Sequence, residues 1–161
     1  MIYKIIARPA PMPKTEDSKK IAWVYAGVLL VMVVLQIFNF KEFVDVFIGF
    51  WPHHQTAGAV LAGVVAFSEV FAIPFLLRMK LSNGFRVFSM FLSWLVPAIW
   101  LFIAISLAGS ATVKNVGVLG SEITVTPGLW VVFIITALAL LSVWASWGLW
   151  PMPHRKTPKR K

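Results

Sequence analysis

The chain has no cysteine. Disulfides, thiolate metal sites and thiol redox chemistry carried by the polypeptide are thereby excluded. Acidic residues are scarce too: 6 Asp and Glu stand against 15 Lys and Arg in 161 residues. Charge is missing altogether from three long stretches, Ile21–Phe40, Val87–Ala108 and Gly128–Trp150. A fourth, Ala57–Leu77, contains a single charged side chain, Glu69, if the stretch is closed before Arg78. With 59% hydrophobic residues and a mean hydropathy of +0.82, a soluble globule is excluded as a reasonable reading.

A helix needs about 20 apolar residues to cross the hydrocarbon core, and each run meets that length. The composition predicts an all-α membrane protein built as a four-transmembrane-helix bundle. The expected spans are about 21–40, 57–77, 87–108 and 128–150, within one domain at 19–151. A flexible cytoplasmic tail is expected at 1–18 and a basic cytoplasmic tail at 152–161.

What charge there is collects on one side. If four helices span, every Lys and Arg except Lys41 and Lys114 faces the same compartment. The N-terminal tail holds Lys4, Arg8, Lys14, Lys19 and Lys20, and the second connection holds Arg78, Lys80 and Arg86. The C-terminal tail holds Arg155, Lys156, Lys159, Arg160 and Lys161. Short Lys/Arg-rich segments stay cytoplasmic, so both termini are expected in the cytosol. Lys19, Lys20, Arg78, Lys80, Arg86, Arg155 and Lys156 are the expected membrane-surface contacts, each gaining roughly 1 kcal/mol near anionic headgroups. A net charge of +9 also raises nucleic acid as a partner. The tail from His154 to Lys161 has no aromatic or folded reading element beside its charges, so no nucleic-acid partner is expected. The first run lacks a small-residue cleavage site across Gln36–Lys41 and reads as an uncleaved signal anchor.

Between the spans the pattern changes. Phe43, Val46, Phe47, Phe50 and Trp51 recur at helical spacing, with Glu42, Asp45 and Gly49 opposite. This predicts a short extracellular amphipathic helix in the outer headgroup region. Pro52 stops it, and Thr56 is the expected N-cap of the next span. Asn83-Gly84 signals a tight cytoplasmic turn. Glu122–Thr126 alternates polar and apolar; Thr112-Val113 and Val116–Val118 are also strand-like, with Gly120-Ser121 able to turn. That predicts a small extracellular β-hairpin, which must lean on the helix ends or a partner to be stable.

Glu69 is the candidate functional residue, because ionisable groups in lipid are costly to keep. Gly58, Ala62 and Ala66 lie four apart on nearly the same stripe, and small residues at that spacing admit a neighbouring helix. The carboxyl is therefore expected to face the bundle, roughly 12 Å from the cytoplasmic end. Ser93 and Ser142 fall at similar depth. Ser89, Ser146 and Tyr25 lie closer to the cytosol, Ser68 precedes the carboxyl, and the deeper Trp94, Trp100 and Trp144 can line a pocket or pack the core. Hydroxyls can donate to a carboxylate, so Ser93, Ser142, Tyr25, Ser89, Ser146 and Trp94 form the candidate ligand or proton site with Glu69. Two readings stand: a structural hydrogen bond pinning the second span, or a ligand or proton site open from the cytoplasmic half. No catalytic residue is assigned. Adjacent His53 and His54 point about 100° apart on a helix and do not readily chelate one metal, so no metal site is assigned.

Ser68-Glu69-Val70-Phe71-Ala72-Ile73-Pro74-Phe75-Leu76-Leu77-Arg78-Met79, followed by Leu81-Ser82 and Phe85-Arg86-Val87-Phe88-Ser89-Met90, resembles the second-to-third helix region of the DoxX/MauE-like superfamily. Leu35–Phe43 is similar to the end of that family's first helix. The resemblance covers Ile21–Leu107. It implies a small four-helix protein of the bacterial cytoplasmic (inner) membrane, accessory to a membrane or periplasmic redox system. The absence of cysteine departs from any thiol-based version. Three functions remain open: a non-catalytic integral membrane subunit or assembly factor; a quinone- or small apolar ligand-binding redox accessory using Glu69; and a small proton-coupled carrier. The last is disfavoured by a single intramembrane carboxyl and no inverted repeat. Quinone is the one cofactor the resemblance leaves open. The expected partners are the lipid bilayer, another membrane or periplasmic protein, and a second copy of the chain.

Overall fold

The computed structural model describes residues 7–50, 54–110 and 113–150. Those residues form five helices: α1 (Glu16–Phe38), α2 (Phe40–Phe50), α3 (Gln55–Leu76), α4 (Asn83–Leu107) and α5 (Leu129–Gly148). α1, α3, α4 and α5 are long and apolar enough to cross a membrane. They close a ring in which α3 and α5 each touch both α1 and α4, while α2 lies along α3. Lys14 N–H donates to the Gly148 carbonyl, so the chain enters α1 beside the exit of α5. We call this the tail end; the opposite, loop end carries α2 and the α4–α5 connection.

Local chemistry sets the helix starts. Thr15 is in extended conformation and accepts a hydrogen bond from Ser18 N–H, with Glu16 and Asp17 in the first turn. That cap and favourable acids at the positive helix end start α1 before the hydrophobic run begins. Ser82 caps α4 in the same way, accepting from Phe85 N–H. Asn83-Gly84 is thus the first turn of a helix and not a turn between helices. With the cap at Ser82, the weak helix propensity of both residues falls where fewest backbone bonds depend on them. Thr56 lies inside α3, whose cap position is His54 without a side-chain bond.

Lipid offers no hydrophobic drive for helix pairing, so close packing and polar contacts hold such bundles. Ala22, Ala26, Ala62, Ala66, Ala72, Ala104 and Ala145 are all buried. Gly58 sets the α2–α3 seam: a Cβ there would stand 2.8 Å from the Phe47 carbonyl oxygen. α2 buries Phe43 and Phe47 completely, and the Phe47 ring meets Trp100 edge-on at 5.7 Å. The amphipathic helix is therefore folded into the bundle wall by its aromatic face.

The expected β-hairpin does not form: no strand occurs among the described residues of the α4–α5 connection. Among the described residues, one hydrogen bond of a ladder is made, from Val116 N–H to Val125 C=O at 2.8 Å. Asn115 replaces the rest. Its Oδ1 accepts from Gly117 N–H and Val125 N–H, and its Nδ2 donates to Gly120 C=O. Gly117 and Gly120 take positive φ, 84° and 75°, which interrupts strand pairing. The apolar alternation read as one face of a hairpin instead plugs the bundle: Val116, Val118 and Val125 are buried.

Candidate functional site

Glu69 is fully buried, at 0% exposure, and points into the bundle. Its Oε1 accepts from Gln36 Nε2 at 3.1 Å and from Trp100 Nε1 at 2.9 Å. Gln36 Nε2 also donates to the Val118 carbonyl at 3.2 Å. One carboxylate oxygen thus joins α1, α3 and α4, and the bridging amide fastens the plug to them. The other oxygen, Glu69 Oε2, and Gln36 Oε1 are buried without a hydrogen-bond partner.

These three residues meet because of chain direction. Cα–Cβ bonds lean toward the N-terminus of their own helix. α3 starts at the loop end, so Glu69 leans that way. α1 and α4 start at the tail end, so Gln36 and Trp100 lean toward Glu69. Depth counted along the helix axes alone pairs Glu69 with Ser93 and Ser142, and those pairings do not form.

The hydroxyls gather in a layer of their own. Pro97 has no N–H, so the carbonyl of Ser93, four residues earlier, loses its helical donor. Tyr25 Oη donates to that carbonyl at 2.6 Å and Ser142 Oγ at 2.7 Å. Ser93 Oγ lies 3.4 Å from Ser146 Oγ, which accepts from Trp94 Nε1 at 2.7 Å. Ser89 lies beside the second intrahelical proline, Pro74, and bridges the neighbouring Phe71–Phe75 backbone pair rather than the Val70 carbonyl that the proline orphans. Its Oγ accepts from Phe75 N–H at 3.2 Å and donates to the Phe71 carbonyl. Every expected companion of Glu69 is hydrogen-bonded, and none of those bonds reaches its carboxyl.

Gln36 is the site residue that sequence reasoning missed, and Trp100 is expected from the sequence only as a pocket-lining or core ring, not as a partner of Glu69. The available signal is the pair of amides near the end of the first span, Gln36 and Asn39, of which only Gln36 falls inside α1. The basic residues assigned to the surface divide as well. Arg86 is buried, its Nη2 donating to Arg8 C=O at 2.7 Å. Arg78 Nη2 donates to Pro11 C=O, whereas Lys20 and Lys80 are exposed and Lys19 is partly so. Arg155 and Lys156 lie outside the described residues.

Two clefts flank this framework. One, about 370 Å³, runs between α1, α5 and the plug, and is lined by apolar side chains including Val28, Met32, Val118, Trp130, Ile135 and Leu138. The other, about 350 Å³, opens at the loop end between Asp45, Val46, Gly49 and Phe50 of α2 and Val113–Asn115 of the plug.

Fold and site together define a multi-pass helical membrane protein whose buried carboxyl joins three helices to a plugging loop. No known protein family, curated protein or solved structure matches the chain.

Proposed function

We propose that this protein is a non-catalytic integral membrane subunit or assembly factor, of the DoxX/MauE-like kind suggested by its helix-two sequence. In this reading it sits in a bacterial inner membrane with both termini cytoplasmic, and serves a membrane or periplasmic redox system. The observation that carries the reading is the closure of Glu69. Its carboxyl is sealed from the surface and engaged through one oxygen with Gln36 and Trp100, and the hydroxyls of Tyr25, Ser89 and Ser142 are spent on backbone carbonyls. Such an arrangement favours a fixed scaffold over turnover. What the scaffold holds out is the loop-end cleft, where α2 and the plug meet. Asp45, Lys114 and Asn115 supply polar groups there beside Val46, Phe50 and Val113. Apolar ground with a few polar groups suits a protein partner.

Gentle detergent extraction followed by affinity purification should return one membrane or periplasmic protein in fixed stoichiometry. Substituting Lys114→Glu and Val113→Asp should lose it while the bundle stays folded. A monodisperse chain recovered alone under the mildest extraction would defeat the proposal.

A second reading, binding of a quinone or similar apolar molecule, is favoured by the 370 Å³ cleft. Val118 lines it, and the carbonyl of that residue accepts from the amide bonded to Glu69. An occupant of the cleft would therefore act on Glu69 through the plug and not by direct contact. Organic extraction of the purified protein should then yield a bound quinone that Leu138→Trp expels. Extracts without any bound apolar molecule would sink this reading.

A further inference from the structure

The tail end holds another concavity, about 340 Å³, whose lining excludes Glu69. Three of its lining side chains are cations, Lys19, Arg78 and Lys80, and none is an acid. Glu16 approaches Lys19 at 3.9 Å from outside the lining, and this exposed pair is weak. Trp23 and Leu77 add apolar walls that remain about half exposed, at 56% and 47%. Pro9 and Ala10 close the remaining side. They belong to an N-terminal strap held by reciprocal bonds between Arg8 and Leu81 and by Lys14 N–H on Gly148 C=O.

Arg78 is the informative residue. α3 ends with Met79 N–H on Pro74 C=O and Arg78 N–H on Phe75 C=O, the paired bonds of a Schellman turn. That turn places its C′ residue in left-handed backbone, where glycine is usual. Arg78 occupies it at φ 57°. A side chain is kept where the backbone favours none, so the guanidinium should have work that glycine cannot do. One part of it is the bond from Nη2 to Pro11 C=O at 3.0 Å. That leaves other donors of the fork, and Nε is buried without a partner.

A cationic hollow with apolar walls, at the end of membrane spans, matches a phospholipid at its headgroup. The cations suit a phosphodiester, which Arg can grip bidentately. Trp23 and Leu77 suit the first carbons of the acyl chains. A soluble phosphate would use the cations and make no use of Leu77 or of the Trp23 ring, over which Lys19 Nζ stands at 5.5 Å. We infer that the crevice between the N-terminal strap, α1 and the end of α3 binds one anionic phospholipid through its phosphodiester, with Arg78 and Lys80 as its ligands. This inference rests on the tail end facing a bilayer surface and is independent of the proposed partner role.

The test uses the full chain in mild detergent, with phosphatidylglycerol or phosphatidylcholine added and bound lipid counted by native mass spectrometry. One phosphatidylglycerol per chain should be retained in preference to phosphatidylcholine. Arg78→Gly suits the left-handed turn and should weaken retention about fivefold, the equivalent of ~1 kcal/mol for one cation near a phosphate layer. Lys80→Ala, an exposed change that leaves the turn alone, should weaken it similarly. Equal retention of both lipids, or unchanged retention in both variants, would overturn the site. Displacement of the lipid by an equal concentration of inorganic phosphate would overturn the lipid assignment in favour of a soluble anion.

Discussion

The two polar layers of this bundle make opposite use of the same kind of bond. In the tail half, Tyr25 and Ser142 serve the carbonyl that Pro97 orphans, and Ser89 bridges a backbone pair beside Pro74. In the loop half, Glu69, Gln36 and Trp100 bond mainly to one another, side chain to side chain, and through Val118 to the plug. The first layer repairs helices; the second joins separate pieces of chain. A hydroxyl near an intramembrane acid is therefore no evidence of a shared site when a carbonyl orphaned by a proline on the facing helix explains its bond. A buried amide on a neighbouring helix, such as Gln36, is better evidence, because no helix-internal demand accounts for it.

The contrast predicts unequal consequences of mutation, with the joining layer more sensitive. Glu69→Leu should be the most damaging change. It leaves the Trp100 indole N–H without its acceptor, at about 1–3 kcal/mol for a buried orphan, and strips the Gln36 amide of one of its two acceptors, the Val118 carbonyl remaining. Thermal unfolding in detergent should show a clear drop, with Glu69→Gln much milder because a carbonyl acceptor remains. Equal losses for the two variants would mean that charge, and not the acceptor, holds this layer together.

Next in size is Gly120→Val. A Cβ at this position would lie 2.6 Å from the Leu35 carbonyl oxygen, and φ is 75°. Overpacking of this kind costs typically about 1–3 kcal/mol, and the left-handed backbone adds strain. The plug should lift before the spans separate. Limited proteolysis would read this as cleavage within 113–128 at temperatures where the helices remain intact. Gly117→Ala should act in the same direction but less, since its nearest neighbour is the movable Val46 side chain at 3.1 Å.

The spans were legible from the sequence because length and apolarity decide them. The inward face of α3 was also legible, since Gly58, Ala62, Ala66 and Glu69 recur at helical spacing and all are buried. The α4–α5 connection was not. Its alternation satisfies a strand rule, but Asn115 offers the backbone a side-chain alternative, and two positive-φ glycines end any ladder. Partners of Glu69 were misassigned for a geometric reason. Depth along an axis places Cα atoms, whereas hydrogen bonds are made by side-chain tips that lean in opposite directions on antiparallel helices. The Asn83-Gly84 signal failed because a residue before it, Ser82, supplied a cap.

The smallest expected effect is the one that tests the repair interpretation most directly. Ser142→Ala removes one of two donors to the Ser93 carbonyl, and interhelical bonds of this sort average about 0.6 kcal/mol. Tyr25→Phe alone should be similar, because Ser142 still donates. Removing both leaves the carbonyl with neither hydroxyl donor, so the double variant should lose more than the sum of the singles. Pro97→Ala then provides the discriminating background. It restores an N–H that can serve Ser93 C=O within α4, so the penalty for losing both hydroxyls should shrink toward zero. A double-variant penalty as large in the Pro97→Ala background as in the parent chain, measured by thermal unfolding in the same detergent, would show that Tyr25 and Ser142 are held for something other than the proline.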